Sequence, residues 1–434
     1  MQKEYDIIIV GGGFAGITAA RELSQAGKSV LILEAKDHIG GRAWSSELNG
    51  IPIELGGGYV FWSQPHVWAE INRYGLTIKE RPYYARTNSM QETRFLINGK
   101  VRKQFTEVEK DQISAAFNEY VAPAKSVFPL PFTPFLTEDY KEYDGLSNAD
   151  RINQMDLTDL QKITLLRTTN IQCNNSPTEG GYIEALRWYA LANGHGDTYA
   201  DSLSRFSLKE GTTHLLNCIA KDTTADIHFN SLVTKINQVD GKVKISTNST
   251  NYSATTCILA TPLNTWKNIQ FSPAISTEKL NFSQEELSGK GNKIYIELAG
   301  KFKDNRWSSV NTPILSVLPH YISEEKSVVV AFTNPEYPLA EITTTTLQTE
   351  IARWDDSYKV IDFKYHDWSN DPYALGTWGN FKPNQFTKYF KNALEPEGEI
   401  YFSGSDIALG WRGFMDGAIE SGIKVARQII NRYD

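Results

Sequence analysis

The stretch Ile7-Ile8-Ile9-Val10-Gly11-Gly12-Gly13-Phe14-Ala15-Gly16 decides how the chain starts to fold. Four consecutive β-branched apolar residues fit a strand buried on both faces, as in a parallel sheet. The glycines after them permit a tight turn and a close approach of backbone to a ligand. Beyond the turn, Ala19, Ala20, Leu23 and Ala26 fall at helical spacing until Gly27. Ser29-Val30-Leu31-Ile32-Leu33-Glu34 is a second buried strand ending in an acid, 18 residues past Gly16. In this strand–helix–strand setting a GxGxxG motif binds a dinucleotide. Gly11, Gly13 and Gly16 shape the turn, a pyrophosphate meets the helix N-terminus, and Glu34 accepts hydrogen bonds from ribose hydroxyls. The fingerprint alone does not separate NAD from FAD.

The rest of the chain is long enough for two or three domains: 434 residues, 41% apolar, 12% aromatic and 22% charged. Its 44 basic and 51 acidic residues give a net charge of −7, which argues against nucleic acid as a partner. The three cysteines, Cys173, Cys218 and Cys257, form no CxxC pair, so no disulfide framework, thiol redox centre or cysteine-rich zinc site is expected. The histidines do not cluster at ligand spacing, so no metal is expected either. Without a secretory-type leader or an apolar run of bilayer length, the expected location is the cytoplasm.

Further glycine motifs follow the fingerprint. Gly40-Gly41-Arg42-Ala43-Trp44 joins exposed backbone N–H groups to an arginine able to pair with phosphate. Glu54-Leu55-Gly56-Gly57-Gly58-Tyr59 suggests backbone packed against something flat. Near the C-terminus, Tyr401 to Asp406 reads as an extended segment carrying a carboxylate. Trp411 to Gly422 then opens a helix whose amino end can face an anionic group. Helices are also predicted over 107–120 and 156–170, with strands over Ile227–Gln238 and Lys242–Thr247.

Taken together, these motifs resemble the flavin-containing amine oxidases, the group that includes monoamine oxidase. The resemblance is carried by 7–60, 257–268, 290–297 and 364–426. Within the group the chain is most similar to bacterial 6-hydroxynicotine oxidases, through Ala260-Thr261-Pro262-Leu263-Asn264-Thr265-Trp266, His366-Asp367-Trp368 and Gly404-Ser405-Asp406. It implies an α/β, bipartite fold. A Rossmann-like FAD-binding domain would be assembled from 1–78, 205–284 and 385–434. An α+β substrate-binding domain would come from 79–204 and 285–384. The FAD contacts it implies are Gly11, Gly13, Gly16, Glu34, Ala35, Gly41, Arg42, Gly57, Gly58, Val233, Trp368, Asp406 and Met415.

The resemblance also assigns chemistry that the residues alone do not. Lys293, at the start of a strand alternating Ile294, Ile296 and Leu298 with Tyr295 and Glu297, reads by itself as a solvated lysine on an outer face. The resemblance implies that it holds a water at flavin N5. Trp378 and Phe414 read by themselves as core aromatics; the resemblance puts them at the two cage positions flanking the substrate amine. Many relatives carry tyrosines there, so both phenolic hydroxyls are missing here. Tyr59 and Asn170 are the implied further substrate contacts. Thr377 stands where covalently flavinylated relatives carry cysteine, which predicts FAD held non-covalently. The arginine with which related L-amino-acid oxidases clamp a carboxylate is absent after Gly58; Arg81, Arg86 or Arg94 are the candidates to replace it.

The implied activity is oxidation of a neutral amine, with hydride passing from its α-carbon to flavin N5 and O₂ or another acceptor regenerating the cofactor. The alternatives are an L-amino-acid oxidase, an FAD-dependent dehydrogenase or desaturase, and an FAD-bound protein without catalysis. A homodimer is compatible with this reading, and no membrane span is expected.

Overall fold

The computed structural model describes residues 4–82 and 93–433. Its first sheet is built on β1 (Tyr5–Val10) and β2 (Val30–Leu33), joined by helix α1 (Phe14–Gln25). The two strands run parallel, with Ile7 opposite Val30 and Val10 opposite Leu33. On the other side of β1 lies Asn251–Leu259, also parallel, placing Leu259 beside Val10. The sheet has eight strands. It runs from Gln270–Ser272 through Val233–Val239, Lys242–Thr247, Asn251–Leu259, β1 and β2 to Asp226–His228, with Ile400–Phe402 also paired to Asn251–Leu259. These strands all fall within 1–78, 205–284 and 385–434. Apolar clusters cover both faces, which is why β1 carries no polar alternation after Asp6.

A second, seven-stranded sheet draws its strands from 79–204 and 285–384. Its order is Val360–Tyr365, Lys293–Ala299, Lys326–Thr333, Ile314–Ile322, Arg306–Ser309, Thr93–Ile97, Lys100–Arg102. One face packs Ile294, Ile296, Trp307 and Val317 against the helix Thr344–Ala352. The other carries Tyr295, Leu318, Val330 and Phe332. The Lys293 strand is therefore buried on both faces and has no solvated side.

Element boundaries depart from the sequence expectations where capping intervenes. The helix expected over 156–170 spans Asp159–Cys173, because Thr158 and Gln161 form a reciprocal capping box that fixes its start. The strand expected over Ile227–Gln238 is broken by a turn at Asn230, whose φ is 52°. The segment Tyr401–Asp406 is not extended throughout. It is a short strand, Ile400–Phe402, then a 3-10 turn, Ser405–Ile407, after Gly404 at φ 156°.

Candidate active site

At the C-terminal end of β1 the chain makes the expected glycine turn. Gly11 has φ 108°, and a Cβ there would lie 2.9 Å from the Ala260 carbonyl oxygen. At Gly16 a Cβ would come within 2.0 Å of the Gly11 carbonyl oxygen, so only glycine lets α1 sit this close to β1. α1 begins on Gly13 with no side chain capping it, leaving its first N–H groups and positive dipole end for an anion. The Glu34 carboxylate accepts from the N–H groups of Gly12 (2.7 Å) and Lys36 (2.8 Å), which holds it at the rim of the turn.

These groups open onto a cavity of about 1040 Å³ between the two sheets. Gly11, Gly13, Glu34, Ala35, Gly41, Arg42, Gly57, Gly58, Val233, Trp368 and Met415 line it, and so do Tyr59, Lys293, Thr377, Trp378 and Phe414. Three expected residues are not in its wall. Gly16 acts behind it, as the contact between helix and strand. Asp406 lies behind Arg42, accepting its Nη2–H (2.7 Å) and the Leu263 N–H (3.1 Å). Asn170 is turned to Asn334, donating from Nδ2 over 3.1 Å, while its neighbours Ile171 and Gln172 reach the cavity. Arg42, read as a phosphate partner, is engaged inside the protein: it also donates to the Thr377 carbonyl (2.6 Å) and to Ser405 Oγ (3.0 Å).

Lys293 is buried, and its Nζ donates to the Gly56 carbonyl while lying 5.5 Å from the Tyr59 ring centre. Burial pushes its ammonium down to about 7, with Glu54 opposing the shift and Arg81 adding to it. Trp378 is fixed by its indole N–H, which donates to the Gln172 carbonyl over 2.8 Å. Phe414 stands edge-on to Trp188 and Trp411, at centroid distances of 5.1 and 5.2 Å. Thr377 accepts from Asn174 Nδ2 over 2.9 Å.

Of the arginines offered as carboxylate partners, Arg81 stacks on the Tyr59 ring at 4.6 Å outside the cavity wall. Arg94 is paired with Asp304 (2.8 Å) and Asp355 (2.9 Å). Arg86 lies outside the described residues. Sequence reasoning missed Trp188, Leu318 and Phe332, and also Arg167 and Arg306, all of which line the cavity. Leu318 and Phe332 stand in largely apolar strands buried on both faces, which mark burial but not the face that meets the cavity, and nothing local marks the two arginines. The cysteines are unpaired thiols, and no helix among the described residues is long and apolar enough to cross a membrane.

Two relatives match the chain along its length, and one solved structure shares its fold. The chain is 34% identical to a pseudooxynicotine dehydrogenase from a Pseudomonas species over 432 residues, covering 98% of this chain and 86% of the relative. It is 28% identical to (S)-6-hydroxynicotine oxidase of Paenarthrobacter nicotinovorans, covering 96% and 97%. Wild-type putrescine oxidase bound to putrescine superposes with a TM-score of 0.86 at 21% identity, both chains being covered in full. Residues 14–430 match the family described as flavin containing amine oxidoreductase, and the chain belongs to that family.

Proposed function

We propose that the protein holds FAD non-covalently and oxidises a small neutral amine at the carbon beside its nitrogen. The observation that carries this reading is one continuous cavity. It joins a dinucleotide fingerprint to two fixed aromatic side chains and a buried lysine. The glycine cradle, the uncapped start of α1 and Glu34 fit FAD. They offer N–H donors to a pyrophosphate, a carboxylate to ribose hydroxyls and bare backbone to a flat ring. Bound FAD supplies a two-electron acceptor for the hydride that leaves the amine, and O₂ or another acceptor restores it.

The protein's own part is positioning and exclusion. Trp378 cannot swing freely, because its indole N–H is held by the Gln172 carbonyl, and Phe414 is wedged by Trp188 and Trp411. Their π faces orient the amine and keep water from its reacting carbon. A substrate that arrives neutral needs no side chain to remove a proton before hydride leaves. Lys293 Nζ, whose ammonium is pushed down to about 7 and therefore loses its proton as the pH rises through neutrality, is suited to hold a water by hydrogen bonding. The imine product then leaves for hydrolysis, or persists if it is cyclic.

Relatives named as a dehydrogenase and as an oxidase both match along the chain, so an acceptor other than O₂ is a second reading for the oxidative half-reaction. Anaerobic mixing of the FAD-loaded protein with arylalkylamines, nicotine-type amines, a polyamine and L-amino acids tests the first half. Bleaching of the flavin band by one amine class is expected, and bleaching by none would sink the reading. Admitting air afterwards and measuring H₂O₂ against reduction of a dye acceptor separates oxidase from dehydrogenase.

A further inference from the structure

We propose that Asn174 is a positioning residue for the oxidation, its side chain fixing Trp378 relative to Lys293. This rests on the amine-oxidising reading above and names a group that sets its geometry.

The last carbonyls of an α-helix have no partners within the helix. At the end of the helix Asp159–Cys173 they are taken up by segments of the cavity wall. The Gln172 carbonyl accepts the Trp378 indole N–H over 2.8 Å, and the Cys173 carbonyl accepts from Ser288 Oγ over 3.3 Å. Asn174 follows as the cap, at φ 51°, in the left-handed region that asparagine enters more readily than most residues. It is 2% exposed. Its backbone carbonyl accepts the N–H groups of Lys290 and Gly291, both over 2.9 Å. Its Nδ2 donates to the Gly291 carbonyl and to Thr377 Oγ1, again over 2.9 Å. A carbonyl only accepts, so the amide must turn its nitrogen to Gly291.

Both segments held in this way lead into the site. Gly291 is followed by Asn292 and then Lys293, and Thr377 directly precedes Trp378. The other polar groups of Thr377 are also fixed: its N–H donates to the Gly289 carbonyl over 3.1 Å, and its carbonyl accepts from Arg42 Nη1 over 2.6 Å. The fit is close. A Cβ at Gly291 would fall 2.4 Å from Asn174 Oδ1, and one at Gly289 would fall 2.4 Å from Thr377 Oγ1. Aspartate would keep the shape of Asn174 but offer no N–H, and glycine would keep the turn but offer no amide. One buried amide thus ties the residue before the cage tryptophan to the start of the lysine strand. A displacement of about 1 Å at a reacting centre costs up to about a hundredfold in rate, so losing this tie should be read in the chemical step.

The test uses three single variants of the FAD-loaded protein. Asn174→Gly keeps the left-handed turn and removes the amide, Thr377→Val removes the acceptor, and Thr377→Ser keeps it. The limiting rate of anaerobic flavin bleaching by a good amine should fall about tenfold or more in Asn174→Gly and in Thr377→Val, and match the wild type in Thr377→Ser. The double variant Asn174→Gly with Thr377→Val should be no slower than Asn174→Gly alone, because both changes remove the same bond. The visible circular dichroism of the oxidised flavin, which reports the groups held against the ring, should change in Asn174→Gly and Thr377→Val only. A lowered melting temperature with an unchanged bleaching rate would assign Asn174 to stability alone and overturn the proposal, leaving the amine reading standing. If Asn174→Gly retains no FAD, the Thr377 pair decides in the same way, and equal rates in Val, Ser and wild type overturn the proposal. If no amine bleaches the wild type, the amine reading falls and the dichroism decides. Changed in Asn174→Gly and Thr377→Val but not in Thr377→Ser, it upholds the positioning role; unchanged throughout, it sinks that role as well.

Discussion

Lys293 shows how far a side chain's role departs from its local sequence. In Lys293-Ile294-Tyr295-Ile296-Glu297 the lysine alternates with isoleucines and looks solvated; in the sheet it is buried beside Tyr59 and its ammonium falls to about 7. The unfolded chain keeps a lysine protonated to about 10.4. Between these values the unfolded state binds the extra proton, so stability rises with pH across that window. Relative to wild type, Lys293→Met should therefore gain most thermal stability at pH 6 and clearly less at pH 9. An equal difference at both pH values would contradict a depressed lysine. The same variant should bind FAD yet slow flavin reoxidation, measured by stopped-flow mixing with air. Thr377 permits a simpler check. Acid precipitation should release all yellow colour to the supernatant, whereas colour in the pellet would mean a covalent bond that threonine cannot form as a thioether. At this scale Trp378 and Phe414 line the cavity, while Asp406 and Asn170 lie behind it. Nothing in a linear motif distinguishes a residue that faces a cavity from one that braces its neighbour.

Among elements, β1, α1 and β2 were the most legible, because Gly16, the apolar runs and the terminal acid each follow from local backbone demands. The loop that presents Phe414 was not. It is held by a fully buried set in which Glu184, from the helix Tyr182–Leu191, pairs with Arg412 and lies 3.5 Å from Arg187. Arg187 in turn donates to the Leu409 carbonyl over 2.6 Å. Burial and Arg412 push Arg187 down to about 9. Glu184 is the carboxylate in direct contact with both guanidinium groups. Glu420 acts on Arg187, and Asp144 and Asp406 on Arg412, as further compensating charges, so removing the Glu184 charge leaves both arginines buried without that contact. Glu184→Gln should cost about 3–5 kcal/mol, read as a lowered urea midpoint. Bleaching by a good amine should weaken as well, because Phe414 loses its support. An unchanged midpoint would show the network to be dispensable.

At the scale of the whole molecule, the proposed cofactor seat is drawn from positions far apart in the chain: Gly13, Glu34, Val233, Ala260, Trp368 and Met415 line one cavity. A ligand touching all of these segments binds only the folded arrangement, so FAD should act as a stabiliser by mass action. Removing FAD should lower the melting temperature, and each tenfold excess over its dissociation constant should restore about 1.4 kcal/mol. A melting temperature independent of FAD would be incompatible with a shared seat. By itself the sequence determined the dinucleotide turn, the presence of an α/β framework and the resemblance that names the family. All of these rest on short-range requirements: backbone clearance at glycine, strand runs buried on both faces and an acid at a strand end. Only the tertiary structure decided which face of the second sheet meets the cavity, that Arg42 is engaged by Asp406, and that Asn170 turns to Asn334 rather than into the cavity. Those outcomes depend on strand register and helix docking, which bring together side chains more than a hundred residues apart and leave no periodic trace in the chain.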